Sequence, residues 1–252
     1  TSSLNQTVPA VEVIIVDDGS TDDSRSIIES FGDLVVPVYK QNGGQASAFN
    51  EGITRAKGQY VWLLDADDYL FENAVETALA LVKPGVARLT MGLQNVAQEG
   101  SPLGRQIPNG GRLFVGSLRD AILYEGGFPS VPTSGNLFSR EALMSALPVP
   151  EERYRICADA YLFAETAKYG LLQLEPELVA YYRIHGANNF FQSVETPESQ
   201  RLFTEKNLAN TLNTLEVLNR YAESLSPKDQ RAIDLFWLGN QALFWIAKAK
   251  RR

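Results

Sequence analysis

Cysteine, histidine and long apolar runs are all scarce in this sequence of 252 residues. The one cysteine, Cys157, cannot close an internal disulfide or build a cysteine-based zinc site, which favours a reducing compartment. No apolar run approaches the roughly 20 residues that a helix needs to span a bilayer, and we expect no signal peptide. These absences predict a soluble, cytoplasmic protein.

Basic residues are too few for a general nucleic-acid binder. The sequence has 23 Lys and Arg against 30 Asp and Glu, which gives a formal net charge of −7. A protein without a basic surface is not expected to have a nucleic-acid partner. Binding of a single nucleotide stays open, because a divalent ion can bridge acidic side chains to a diphosphate.

The first third of the chain alternates between two hydrophobic patterns. Short apolar runs rich in β-branched and aromatic residues predict strands at 11–16, 34–39 and 59–64, and the segments after them predict helices at 22–31, 45–56 and 73–82. Strands separated by such helices indicate crossover connections. We predict an α/β fold with a mainly parallel sheet flanked by helices and a Rossmann-like nucleotide-binding half.

Acidic residues follow two of these predicted strands. Asp17 and Asp18 come after the first, and the run Asp65-Ala66-Asp67-Asp68 comes after the third. Turn formation and helix capping explain such residues without any function. The alternative is a ligand site, because open sheets bind ligands beyond the carboxyl ends of their strands and hard divalent cations prefer oxygen ligands. Two acidic groups at neighbouring strand ends favour the ligand site.

Two further candidates lie downstream. Asp159 stands at the start of a helix predicted over 160–169, where a carboxylate is either an N-cap or a general base. His185 is the one histidine of the chain and follows a strand predicted over 178–182. It is either structural or able to complete the coordination of a metal ion.

The remaining sequence gives weaker patterns. A strand is predicted over 87–96, and residues 104–136, rich in Gly and Pro, predict loops that shape a binding cleft. Helical patterns at 198–224 and 228–250 predict a C-terminal helical extension over 193–252, after a catalytic domain over 1–192. The last helix ends in a basic tail, which favours packing on the catalytic domain or peripheral contact with the inner face of a membrane.

Five segments resemble the family 2 glycosyltransferases of the GT-A fold. They are VEVIIVDDGSTDDS at 11–24, NGGQASAFNEGITRAKGQYVWLLDADD at 42–68, SGNLFSR at 134–140, CADAYLFAETAKYG at 157–170 and YYRIHGAN at 181–188. They occur in the order of the family and cover roughly residues 1 to 190. The resemblance implies an inverting transfer from a nucleotide-diphosphate sugar, with UDP as the expected nucleotide.

The resemblance also implies how the donor is bound. Asp18 would hold the nucleobase with Asp17 beside it, and the loop Asn42-Gly43-Gly44 would lie near the nucleotide. Asp65 would contact the ribose.

The chemical step is implied in the same way. Asp67 would bind an Mn²⁺ or Mg²⁺ ion that bridges the diphosphate, and His185 would lie near the diphosphate and the metal. Asp159 would be the base that deprotonates the hydroxyl of a carbohydrate or lipid-linked acceptor. Such an enzyme would serve the synthesis of a polysaccharide, a cell-surface glycan or a glycolipid.

Two departures from the family pattern stand out. The family often has two acids before the helix of its base, whereas this chain has Ala158 and Asp159. Family members usually carry a strand and a helix ahead of the segment that begins at Val11, so we expect about 30 residues of this unit to be absent here.

Three other classes share part of the pattern. A phosphatase with an aspartyl nucleophile usually has Thr or Val after its Asp-x-Asp, whereas Asp68 and Tyr69 follow here. A sugar nucleotidylyltransferase should show a Gly-rich, basic phosphate loop near its start, and none is visible. A nucleotide-sugar-binding module without turnover is the third alternative, because Ala158 replaces an acid of the family.

Overall fold

The computed structural model describes residues 1–108, 113–125, 131–185 and 188, together with 221, 223 and 226–231. The strands are β1 Ile14–Asp17, β2 Val36–Tyr39, β3 Tyr60–Trp62, β4 Tyr69–Leu70, β5 Val86–Ala97, β6 Pro102–Ile107, β7 Phe114–Gly116, β8 Asn136–Ser139 and β9 Leu171–Ile184. The helices are α1 Ser24–Ser30, α2 Gln45–Arg55, α3 Ala74–Leu81, α4 Leu118–Glu125, α5 Arg140–Ala146 and α6 Ala158–Thr166, and two 3₁₀ turns cover Gly32–Leu34 and Thr133–Gly135.

The N-terminal part of the fold follows the predicted crossover pattern. β1 and β2 pair in parallel, with Ile14 opposite Val36 and Asp17 opposite Tyr39, and α1 connects them. Parallel strands need such a crossover, because a hairpin joins only antiparallel neighbours. The carboxyl end of β1 therefore places Asp17 and Asp18 at one edge of the domain.

The larger sheet is mixed rather than mainly parallel. Its seven strands follow the order β3-β8-β5-β9-β4, with β6 on β5 and β7 on β9. Among the described strands, β5 pairs with β9 in parallel, and the other pairs of this sheet are antiparallel. The α/β class is confirmed. The parallel arrangement was overestimated because β7 and α4 lie within the stretch 104–136 that reads as loop, and β8 begins at its last residue.

Two buried clusters hold the helices against this sheet. One packs α3 on β5 and β9 through residues such as Ala78, Leu89 and Val179. The other packs α2, α5 and α6 around Phe138 of β8, whose ring is fully buried and lies 6.2 Å from that of Phe163. α6, which carries Asp159, is therefore fixed by core packing.

An apolar cavity of about 550 Å³ separates the two sheets. It is bordered by β1, α2, β3 and α3, with Ile14, Val16, Phe49 and Val61 among its lining residues. Within the described residues, β1 and β3 carry no hydrogen-bonded strand on this side. The expectation of an absent strand–helix unit ahead of Val11 stays a prediction.

The predicted extension over 193–252 falls almost entirely outside the described residues and stays a prediction, as does its membrane contact. In the part of the chain that the structure describes, every helix is too short or too polar to cross a bilayer.

Candidate active site

The acidic loop after β3 is a tight turn at the edge of the larger sheet. It closes with a hydrogen bond of 3.2 Å from the N–H of Asp68 to the carbonyl of Asp65. Asp68 is 7% exposed, and its carboxylate accepts the backbone N–H of Arg183 at 2.9 Å and the Ser134 hydroxyl at 2.7 Å. Asp68 thus fastens the loop to the rest of the sheet and leaves Asp67 to face outward.

The two predicted metal ligands lie side by side. Oδ2 of Asp67 is 2.9 Å from Nε2 of His185, although the residues are 118 positions apart. His185 follows the end of β9 directly, and its backbone N–H donates to the side chain of Asn188. The side chains of Asp67 and His185 are 41% and 21% exposed, so both remain accessible from the cleft.

The residues at this place fit a divalent ion that shares its coordination with substrate. Within the described residues, no three His, Cys, Asp or Glu side chains converge to hold a metal by themselves. Mg²⁺-type sites usually use one or two protein ligands and fill the other positions with water and phosphate oxygens. Asp67 and His185 can supply that smaller set.

Burial, together with neighbouring carboxylates, raises the pKa of two aspartates. Burial, followed by the charges of Asp159, Asp68 and Asp67, raises the pKa of Asp65 to about 7. Burial also raises the pKa of Asp68 to about 6, although its hydrogen bonds from Ser134 and Arg183 act in the opposite direction. Such a concentration of negative charge favours a cation among these groups.

The predicted base, Asp159, belongs to the same cluster. It lies in the first turn of α6, whose N-cap is Cys157, so the N-cap interpretation of Asp159 is wrong. Its carboxylate accepts the Thr133 hydroxyl at 3.1 Å and the N–H of Ala160 at 2.9 Å. Burial raises the pKa of Asp159 against these hydrogen bonds, which suits a group that must accept a proton.

Arg88 is a functional candidate that the sequence analysis missed. It is completely buried on β5, and its guanidinium carbon lies 4.5 Å from the centre of the Phe163 ring. Burial lowers the pKa of Arg88 to about 9, while the charge of Asp159 acts to raise it. The available signal was an arginine between the apolar residues Ala87 and Leu89 of a predicted strand.

The second predicted group surrounds Asp18. Its carboxylate accepts Nζ of Lys40 at 2.6 Å and the backbone N–H groups of Gly43 and Gly44 at 2.9 and 2.6 Å. Burial raises the pKa of Asp18, but these hydrogen bonds outweigh it, so the pKa lies below its ordinary value. Asp17 instead closes a turn, since its carboxylate accepts the N–H of Ser20 at 2.8 Å.

The loop before α2 is docked against the segment that leads into α6. The side chain of Asn42 accepts a hydrogen bond from Arg155. Gly44 has φ of +86°, and a Cβ there would collide with Arg155. The side chain of Gln45 accepts a hydrogen bond from the backbone N–H of Ala158 at 2.8 Å. This hydrogen bond links the loop beside Asp18 to the start of α6, which carries Asp159.

The structure thus sorts the predicted residues into two neighbouring groups. Asp65, Asp67, Asp159 and His185 form the acidic group at the ends of β3 and β9. The other group contains Asp17, Asp18, Asn42, Gly43 and Gly44 at the end of β1.

Without divalent ions, the acidic group should make stability depend on pH. A folded-state pKa of about 7 for Asp65, above the ordinary 3.8, means that the folded protein binds more protons than the unfolded chain between these values. The free energy of unfolding should therefore fall as pH rises from about 4 to about 7 and level off above that. Denaturant unfolding in EDTA at several pH values measures this slope.

Asp65→Asn should make that slope shallower, because it removes one titrating group while Asp68 and Asp159, whose pKa values are also raised, remain. Asp33→Asn changes an exposed carboxyl on the 3₁₀ turn Gly32–Leu34 and should leave the slope unchanged. Equal slopes for wild type and Asp65→Asn would contradict the raised pKa.

Several known proteins are similar to this chain in sequence. Residues 1–145 match the family described as "Glycosyl transferase family 2". The uncharacterized glycosyltransferase alr2836 of Nostoc sp. is 33% identical over 227 residues, covering 87% of this chain and 68% of the relative. The chondroitin synthase of Pasteurella multocida is 48% identical over 81 residues, which are 31% of this chain and 8% of that protein.

Solved structures agree on the fold. S. aureus TarS 1-349 in complex with UDP superposes with a TM-score of 0.57 at 18% identity, covering 91% of this chain and 71% of that TarS chain. That likeness supports the GT-A fold expected from the sequence. With more than half of its residues matching the family and a relative of 33% identity along most of its length, the chain belongs to glycosyl transferase family 2.

Proposed function

We propose that this protein transfers a sugar from a UDP-linked donor to an acceptor hydroxyl, with inversion at the anomeric carbon and with the help of Mn²⁺ or Mg²⁺. The observation that carries the proposal is the pairing of Asp67 with His185 at 2.9 Å, inside a carboxylate cluster that also includes Asp159. A cation-binding corner beside a buried carboxylate is what a leaving diphosphate and a departing acceptor proton require.

Relatives support the donor class. TarS, a protein with the same fold, has been solved with UDP and with UDP-GlcNAc. Relatives over about a third of this chain include a chondroitin synthase and a hyaluronan synthase, which favours a carbohydrate acceptor in polysaccharide or cell-surface glycan synthesis. A lipid-linked acceptor belongs to the same proposal.

The residues divide the chemistry between them. Asp159 would accept the proton of the acceptor hydroxyl as it attacks the anomeric carbon, and its raised pKa makes it a stronger base. Asp67 and His185 would hold the divalent ion, which supplies positive charge to the leaving diphosphate. Asp18, held by Lys40 and two backbone amides, would present a fixed carboxylate to the nucleobase.

Donor binding and turnover can be tested together. A panel of nucleotide sugars with Mn²⁺ should raise the melting temperature for one UDP sugar most strongly, and that sugar should be hydrolysed slowly or transferred to added acceptors. UDP-sugar binding with no turnover across acceptors would favour the alternative, a binding module. No stabilisation by any nucleotide would contradict both.

Lys40→Met should weaken nucleotide binding. The substitution removes the hydrogen bond of 2.6 Å to Asp18 while the amides of Gly43 and Gly44 remain. Asp18 then loses one of the hydrogen bonds that fix its orientation before the nucleotide binds. Ordering a side chain on binding costs about 0.5–1.5 kcal/mol, so we expect Kd for UDP with Mn²⁺ to rise by about two- to tenfold.

Isothermal titration calorimetry measures that change. Lys57→Met removes the charge of an exposed lysine and serves as the matched control. If Kd is the same for Lys40→Met and Lys57→Met, Lys40 has no part in holding the nucleotide.

A further inference from the structure

The buried 3₁₀ turn Thr133–Gly135 lies between the predicted base and the acidic loop. Thr133 is 2% exposed and Ser134 is completely buried. Although the two residues are adjacent in sequence, their hydroxyls contact different carboxylates. This turn is part of neither group of predicted site residues.

Thr133 contacts the base. Its Oγ1 donates to Oδ2 of Asp159 at 3.1 Å. The same hydroxyl lies close enough to Asp65 to stabilise that carboxylate as well. Thr133 therefore stands between the base and the first aspartate of the acidic loop.

Ser134 contacts the acidic loop at two points. Its hydroxyl donates to Asp68 at 2.7 Å and accepts the backbone N–H of Asp65 at 3.1 Å. Its carbonyl accepts the indole N–H of Trp62 at 2.8 Å, which ties the turn to β3. One buried serine thus holds both ends of the loop that presents Asp67.

The turn is itself rigidly supported. The side-chain amide of Asn136 donates to the carbonyls of Pro132 and Thr133 at 3.0 and 3.2 Å, and its oxygen accepts the Thr90 hydroxyl at 2.9 Å. At Gly135 a Cβ would come 2.9 Å from the carbonyl oxygen of Met91, so the turn lies directly against β5. Because a close-packed interior deforms little, a shift of this turn would also shift the carboxylates that it contacts.

We propose that Thr133 and Ser134 form a positioning unit that fixes the distance and orientation of Asp159 relative to the acidic loop of Asp65, Asp67 and Asp68. Both are positioning residues, because they act through the carboxylates they hold. The inference rests on the proposed function, in which base and cation corner act on the same bound donor and acceptor. Displacements of about 1 Å in such arrangements can cost about 100-fold in rate.

The two hydroxyls should have separable effects. Thr133→Val keeps the shape of the side chain but removes its contact with Asp159, so kcat should fall by about 10- to 100-fold with little change in donor KM. Ser134→Ala releases the acidic loop, so the affinity for UDP with Mn²⁺ should fall by about 10- to 100-fold, as for other residues that support metal ligands.

Steady-state kinetics and calorimetry on the full chain test this. Thr133→Ser restores the hydroxyl and should recover most of kcat. Thr166→Val removes a fully buried hydroxyl from the same helix as Asp159, where it donates to the carbonyl of Leu162, and serves as the control for loss of stability. The melting temperature of each variant shows whether it folds.

The outcomes distinguish this inference from the proposed function. A fall in kcat for Thr133→Val with rescue by Thr133→Ser, and weaker UDP–Mn²⁺ binding for Ser134→Ala, support it. If Thr133→Val resembles Thr166→Val while Asp159→Asn is inactive, the positioning unit is wrong and the proposed function stands. If Ser134→Ala does not fold, the Thr133 series alone decides. If the wild type neither transfers nor hydrolyses a sugar, both fail.

Discussion

Asp159→Asn should lower kcat for sugar transfer by about 10²- to 10⁴-fold, the usual contribution of a positioned general base. The amide keeps the size of the carboxylate and can still contact Thr133, but it cannot accept a proton from the acceptor. Donor affinity should change little, because the proposed function assigns the nucleotide and the ion to Asp18, Asp65 and Asp67 and only the acceptor hydroxyl to Asp159. The measurement is steady-state transfer with the best donor and acceptor of the panel.

The pH profile gives the same prediction a second readout. Burial raises the pKa of Asp159 above its ordinary 3.8, so kcat/KM of the wild type should fall on the acid side with a midpoint above that value. The residual activity of Asp159→Asn should lack this acid limb. The charges of Arg88, Asp65 and Tyr182 interact with the Asp159 carboxyl, so the acid limb reflects these groups as well as Asp159.

The matched control is Glu165→Gln. Glu165 lies near the end of the same helix and pairs with Lys168 at 2.7 Å, away from the cluster. Its replacement should leave kcat within about twofold of wild type, in line with other substitutions outside a site. Full activity of Asp159→Asn would remove Asp159 from the mechanism.

Asp67→Ala should abolish the dependence of turnover on Mn²⁺. A metal acting as a Lewis acid supplies several kcal/mol of transition-state stabilisation, and each 1.36 kcal/mol is tenfold in rate, so a loss of about 10²- to 10⁴-fold is expected. Oδ2 of Asp67 lies 2.9 Å from Nε2 of His185, the other proposed ligand of the ion. His185→Ala should therefore also lower metal-dependent turnover, but by a smaller factor.

Titration of activity with Mn²⁺ and with Mg²⁺ measures this effect. Asp22→Asn, an exposed carboxyl just before α1, is the control and should retain the wild-type metal curve. Unchanged metal-dependent turnover in Asp67→Ala would mean that the ion is held elsewhere or is not required.

The strand-end aspartates could be predicted because their signal is local. Asp17 and Asp65 directly follow apolar runs, and the residue after a buried strand must lie at the edge of its sheet. His185 was found in the same way, since it follows the end of β9. The sequence alone could not show that Asp67 and His185 meet, because that contact depends on the packing of the whole sheet.

The residues that hold the site carboxylates in place could not be predicted from the hydrophobic pattern of the sequence. Thr133 and Ser134 lie in a stretch that reads as loop, and β8 after them has only four residues, too few to show a period. β9 was predicted for only part of its length because Glu175, Pro176 and Glu177 interrupt its apolar pattern. The structure accommodates them where the pairing with β5 shifts register next to Gly92.

The contact between Asp67 and His185 joins the loop after β3 to the end of β9, two chain segments that are 118 positions apart. An ion held there with a diphosphate would act as a reversible cross-link across most of the described domain. Binding to the folded state alone adds stability in proportion to the logarithm of ligand concentration over Kd. Donor occupancy should therefore also decide how readily a protease cleaves this chain, so the cellular supply of nucleotide sugar would help set how long the protein survives.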